Sequence, residues 1–195
     1  MPKQTKKEQS RIANWYDIIS NNKVRHIVGI DNGVTGTIGL LHLSERLTVL
    51  QYGIVKTPTM YTDAISKKRV KTKRIEPLLL EAIISSNMNT LDDTVVLLER
   101  PLLNPRMFWT SISAAKSMEV TQTVLEMLGF KINLNYFVID SRDWQSVLLP
   151  GVKGSDNLKV ESWRIGTQLF PNNSLKHTDM DGLLIAEWLR KEMCG

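Results

Sequence analysis

Three carboxylates in this sequence stand where a side chain can be both rigidly held and reachable. Asp31 closes the apolar run His26-Ile-Val-Gly-Ile and opens Asp31-Asn-Gly-Val-Thr-Gly36. Glu99 closes Thr94-Val-Val-Leu-Leu and is followed by Arg100 and Pro101; the proline forbids further ladder pairing, so Glu99 caps its strand. Strand ends are where α/β folds put their sites. Both positions also have plainer readings: Asn-Gly is ordinary hairpin chemistry, and a charge at a strand end often marks the protein surface. Asp181 lies in His177-Thr-Asp179-Met-Asp181-Gly-Leu-Leu-Ile-Ala-Glu-Trp188. It shares a helical face with Leu184, Ile185 and Trp188. A carboxylate on that core-facing stripe is costly without a partner or a metal, although Thr178 and Asp181 also have the spacing of a helix-capping box. Lys153 and Lys159, in Lys153-Gly-Ser-Asp-Asn-Leu-Lys159, sit near a helix start. They either offset the charge of a bound anion or simply solubilise the surface.

These groups must be positioned by the elements around them. Residues 24–56 read as three strands in an antiparallel meander, with Asn32-Gly33 as the first turn and Leu47–Lys56 as the third strand. The basic stretch 66–74 reads as a loop, or as the entrance to a helix over Ile75–Ser85. Thr94–Glu99 has the continuous apolar character of a strand buried on both faces. A long helical pattern covers about 108–128 and stops at Gly129. Leu134–Ile139 reads as a fifth strand, followed by helices at 156–169, closed by Pro171, and at about 178–193. The order predicts an α/β fold with a mixed five-stranded sheet flanked by helices. It matches the ribonuclease H-like order of elements, and other mixed folds as well.

The net charge of +5 is unevenly spread. Residues 1–25 hold six Lys/Arg against Glu8 and Asp17, and residues 66–74 (Ser-Lys-Lys-Arg-Val-Lys-Thr-Lys-Arg) hold six with no acid; the remainder is net acidic. Local basic patches on a less basic body suit contact with phosphate backbones, here by Lys67, Lys68, Arg69, Lys71, Lys73 and Arg74; the same runs also read as a solvated loop and tail. The first 22 residues read as a basic extension, with Ile12, Trp15, Ile18 and Ile19 at helical spacing, ahead of a single domain over 23–195. The only cysteine is Cys194, which excludes an internal disulfide and a cysteine-built zinc site and suits a reducing, cytoplasmic setting. No run approaches the roughly 20 apolar residues of a membrane span.

Taken in order, Gly29-Ile-Asp-Asn-Gly33, Leu98-Glu-Arg-Pro101 and Asp181-Gly-Leu-Leu-Ile-Ala-Glu187 resemble the RuvC-type Holliday junction resolvases, especially their phage-encoded branch. The resemblance covers about residues 24–192, and the segment from Lys153 to Pro171 looks like that branch's lysine-bearing loop and helix. It implies a ribonuclease H-like nuclease domain in which the strands of Asp31 and Glu99 lie side by side and parallel, with the last helix bringing Asp181 to the same point. Acids so gathered repel one another unless a cation lies between them, and oxygen donors suit Mg²⁺, or Mn²⁺ in its place, far better than zinc. The activity implied is metal-dependent cutting of branched DNA, four-way junctions above all, by paired nicks from a homodimer, in a host cytoplasm if the chain is phage-encoded. Lys153 or Lys159 would face the scissile phosphate. The family usually carries a fourth ligand three residues before the last Asp; that position is Thr178 here, flanked by His177 and Asp179. Asp179 is favoured for the metal by its charge, with His177 close enough to act on the water or leaving group. Phe108 and Trp109 follow the loop after Glu99, where such resolvases carry an aromatic that wedges at the crossover, yet aromatics at a helix start more often pack into a core.

Two other functions fit parts of the pattern. Actin-like ATPases also end a first strand in Asp-x-Gly-x-Thr-Gly, but they need two such domains and further glycine-rich phosphate loops, for which 195 residues leave no room. A branched-DNA-binding protein of the same fold without catalysis is the non-enzymatic alternative.

Overall fold

The computed structural model describes residues 24–63, 71–171 and 179–194. The basic extension and the amphipathic helix read over residues 1–22 lie outside them, as do Lys67, Lys68, Arg69, His177 and Thr178.

The meander expected at the start is present as β1 (His26–Ile30), β2 (Thr37–Leu43) and β3 (Val49–Lys56), each antiparallel to the next. The chain then leaves the sheet for a separate two-stranded hairpin, β4 (Thr59–Asp63) with β5 (Lys71–Ile75). Helix α1 (Pro77–Ser86) follows, its first turn capped by Glu76, whose carboxylate accepts from the Leu78 and Leu79 N–H groups. Next come β6 (Thr94–Glu99), α2 (Phe108–Met127), β7 (Tyr136–Ile139), α3 (Ser141–Leu148), α4 (Ser155–Leu169) and α5 (Asp181–Cys194). The main sheet has the order β3-β2-β1-β6-β7, with β1-β6 and β6-β7 parallel. This is the mixed, helix-flanked five-stranded sheet the sequence predicts.

Strand alternation sorts the interior into two layers. Ile27, Leu41, Val95, Leu97 and Phe137 point to the face covered by α3 and α5, whereas Val28, Ile30, Ile38, Val96 and Leu98 meet α1 and α2. By the same count Asp31 and Glu99, the next odd residues after Gly29 and Leu97, belong to the α5 face. β1 and β6 run parallel in the register Ile30↔Leu98, so the two carboxylates emerge side by side one residue further on.

Helix α5 lies unusually close to this face. Gly29 and Gly39 are cross-strand partners. A methyl group on Gly39 would come within 2.3 Å of the Leu183 nitrogen, and one on Gly182 within 2.6 Å of the Gly39 nitrogen. Only hydrogen at these positions lets the helix backbone rest directly on the strands.

Two segments differ from the sequence reading. Lys71–Ile75, expected in a loop or helix entrance, is a strand, because Thr59–Asp63 pairs with it along its whole length. Ser141–Leu148, left unassigned, is helical, with Asp140 and Asp143 forming a reciprocal capping box. No helix among the described residues is long and apolar enough to cross a membrane.

Candidate metal centre

Asp31 leaves β1 at the edge of the α5 face, and its N–H donates to the Thr37 carbonyl at 3.0 Å, which fixes the backbone where the side chain departs. Gly36 closes behind it: a methyl group there would sit 2.8 Å from Asp31 Oδ2. Asp181 is the first residue of α5 and faces the sheet through the glycine contact. Asp179 precedes the helix, so the roughly 200° that two helical steps would put between it and Asp181 does not apply. Its Oδ1 accepts from the Asp181 N–H at 3.0 Å and from the Thr37 hydroxyl at 3.3 Å. Thr37 also accepts from the Gly182 N–H at 3.1 Å, tying β2 to the start of α5.

As a result Asp31, Asp179 and Asp181 each offer a carboxylate oxygen within 4.8 Å of the others. Glu99 stands beside them and is hydrogen-bonded to Asp31. Its Oε1 accepts from Trp144 Nε1 at 3.4 Å, and that indole is wholly buried on α3. Ser162 on α4 donates to Asp181 Oδ1.

Asp31, Glu99 and Asp181, partly buried and close together, resist ionising. Burial, with the charges of Glu99, Asp179 and Asp181, holds the Asp31 carboxyl well above the usual carboxylate range. Burial and Asp181 push Glu99 up to about 7, against the opposing Trp144 and Asp31 hydrogen bonds. Burial and Asp179 raise Asp181 to about 6, while the Ser162 hydrogen bond and the Lys159 charge act to lower it. The donor set is all hard oxygen, and its charge is uncompensated from within. Both properties fit a divalent cation and poorly fit a soft metal.

The remaining expected site residues fall in several places. Lys159 is near enough for its charge to bear on Asp181, whereas Lys153 lies on the exposed turn before α4, its carbonyl accepting from Asn157. Lys71, Lys73 and Arg74 are exposed on the hairpin, away from the acids along the chain but in one basic strand. Phe108 and Trp109 begin α2, but their own side chains stay out of the core it packs against. They are 60% and 54% exposed and stack edge-on, with ring centroids 5.2 Å apart, at the start of α2. The loop Pro101–Asn104 and a short 3₁₀ turn at Pro105–Met107 hold them out of the interior. Trp144, Ser162 and Thr37 have no local sequence pattern that marks them as partners of the acids.

The sheet order, the acids at the ends of the two central parallel strands and a last helix laid across the meander define a ribonuclease H-like fold. Solved structures of other proteins share the fold. Thermus thermophilus RuvC in complex with a Holliday junction substrate superposes with a TM-score of 0.52 at 14% identity, over 84% of this chain and 91% of that one. A second structure of Thermus thermophilus RuvC gives 0.50 at 14% identity, over 84% of this chain and 92% of the other. At that identity the likeness is one of fold. No family model matches the sequence, and no curated protein does.

Proposed function

We propose that this chain is a divalent-metal-dependent endonuclease that nicks branched DNA, with four-way junctions as its principal substrate. The observation that carries the reading is the meeting of Asp31, Asp179 and Asp181 within 4.8 Å, with Glu99 alongside, on a fold shared with a RuvC bound to a Holliday junction. Mg²⁺ is the expected cation and Mn²⁺ its substitute, held by these carboxylates. When bound there, the cation would supply Lewis-acid chemistry for attack of a water on a phosphodiester, which would leave 5′-phosphate and 3′-hydroxyl ends.

The protein's own groups supply the rest. Trp144 and Ser162 fix the rotamers of Glu99 and Asp181 by hydrogen bonds from separate helices, so the acids are preorganised before DNA arrives. Lys159 is near enough for its charge to act on Asp181, where it would offset the charge of a bound phosphate. The exposed Phe108–Trp109 pair stands past the end of the Glu99 strand, where it can stack at the crossover of a junction. Two copies related by a two-fold axis would match a junction of near two-fold symmetry and yield paired nicks.

The test is nicking of a labelled four-way junction titrated with Mg²⁺. Asp31→Asn is expected to lower the rate by about 10²–10³-fold or more, the size of losing a preorganised charge at the reacting phosphate. Junction binding should persist, because phosphate contacts elsewhere carry the affinity. A wild-type protein that binds junctions tightly and never nicks them in Mg²⁺ or Mn²⁺ would instead establish the inactive branched-DNA-binding alternative.

A further inference from the structure

The β4–β5 hairpin is an arm outside the main sheet, and its chemistry is not used by the acidic cluster. It springs from the same end of the sheet as the carboxylates. Lys56, the last residue of β3, pairs with Thr37, and the Thr57 N–H donates to the Gly36 carbonyl at 3.0 Å. The base is closed by the Glu76 N–H on the Pro58 carbonyl at 2.9 Å and by the buried Ile75.

Period-two alternation divides the arm into two faces. In the register Tyr61↔Lys73 and Asp63↔Lys71, one face carries an aromatic ring, two lysines and one acid. On the other face Met60, Thr62 and Thr72 are partly covered, and Arg74, opposite Met60, is exposed. Tyr61 is 65% exposed, with no role in a core, and Lys71 and Lys73 are exposed beside it. The Lys73 ammonium lies 5.9 Å from the Tyr61 ring centroid, at the outer limit of a cation–π contact, so it does not cover the ring.

An open aromatic ring on a strand face that also carries lysines takes a nucleotide in a particular way. The ring presents a surface on which a base can stack, and the ammonium groups reach the flanking phosphates. A duplex can use the lysines but not the ring, because its bases are already stacked on one another. We infer that the Tyr61–Lys71–Lys73 face binds an unpaired stretch of DNA, with one base stacked on Tyr61. A four-way junction that carries a single-stranded segment beside the crossover then gains a contact that its fully paired counterpart lacks. That consequence for junctions rests on the nuclease reading; the single-strand contact does not.

The experiment is fluorescence-anisotropy binding of the full chain to a labelled oligo-dT and to a fully paired duplex of equal length, in EDTA and over a range of salt. Tyr61→Ala is expected to weaken oligo-dT binding by about 5- to 150-fold, the range for one stacked base. It should leave duplex binding and the salt slope unchanged, and Tyr61→Phe should bind as wild type. The double substitution Lys71→Ala, Lys73→Ala should flatten the oligo-dT salt slope by up to about 0.7 per lysine. Oligo-dT affinity untouched by Tyr61→Ala, or lost equally for duplex, overturns the inference. Because no metal or cleavage enters the assay, that failure is distinct from failure of the nuclease reading, which the junction-nicking assay judges alone.

Discussion

A carboxylate has about four lone-pair sites, so the two hydrogen bonds that Asp179 accepts from Asp181 and Thr37 leave it room to hold a cation. Its placement just before α5 thus lets one side chain start the helix and line the metal centre together. The expected outcome is that Asp179→Asn slows junction nicking by at least about 10-fold in both Mg²⁺ and Mn²⁺, on the scale of disturbing a metal's immediate support. His177→Ala should cost less in each metal. Normal cutting by Asp179→Asn, with His177→Ala dead in both metals, would transfer the ligand role to His177. Asp31, Glu99 and Asp181 were legible in the sequence because periods of two and 3.6 residues fix which face each occupies. Thr37, Trp144 and Ser162 were not, because a hydroxyl or indole that serves an acid in another element is defined by tertiary proximity, which leaves no local pattern.

At the scale of elements, the strands and helices with strong apolar periodicity were readable to within a few residues, and Gly129, at φ +91°, ends the long helical region as expected. The hairpin was not readable. Lys71-Thr-Lys-Arg has no apolar alternation, and it is a strand only because β4 supplies its hydrogen-bond partners. The glycine contact under α5 also escaped notice, since its three members lie far apart in sequence and meet only in the fold. It carries a sharp expectation. In Gly182→Ala the new methyl meets backbone atoms of Gly39 and Thr37 at 2.6 Å, which cannot rotate aside, so the helix must lift. Overpacking of this kind costs about 1–3 kcal/mol, occasionally more, or roughly 2–12 °C in Tm for a chain of this size. Nicking should fall far more than stability does, because Asp181 and Asp179 move with the helix. A variant with a lowered Tm but wild-type nicking would show that the acids tolerate a displaced α5.

For the molecule as a whole, the acidic centre sets a dependence of stability on pH. The Asp31, Glu99 and Asp181 carboxyls are all raised in the folded state, above the roughly 4 of an unfolded chain. The folded protein therefore holds these protons after the unfolded chain has released them. Below about pH 4 neither state is penalised; as pH rises from there through about 7 the folded state loses stability on account of Asp181 and Glu99, and the raised Asp31 carboxyl adds to that loss. A bound cation relieves it. Calorimetry should accordingly find that Asp31→Asn has a higher Tm than wild type in EDTA, by a margin that grows between pH 5 and pH 8. Mg²⁺ should raise the wild-type Tm more at pH 8 than at pH 5. A margin that shrinks with pH would contradict the crowding of charge at this centre.

The same arrangement has a consequence for how the protein is made. Thr37 and Gly182, which bind each other at the centre, are 145 residues apart. At the pace of synthesis, about 5–20 residues per second, roughly 7–30 s separate their appearance from the ribosome. Late in that interval the strands of Asp31 and Glu99 and the basic arm have emerged, but Asp179 and Asp181 have yet to be made. On the nuclease reading proposed above, a growing or truncated chain would hold nucleic acid without the means to cut it, and the capacity to break DNA would arrive with the last helix.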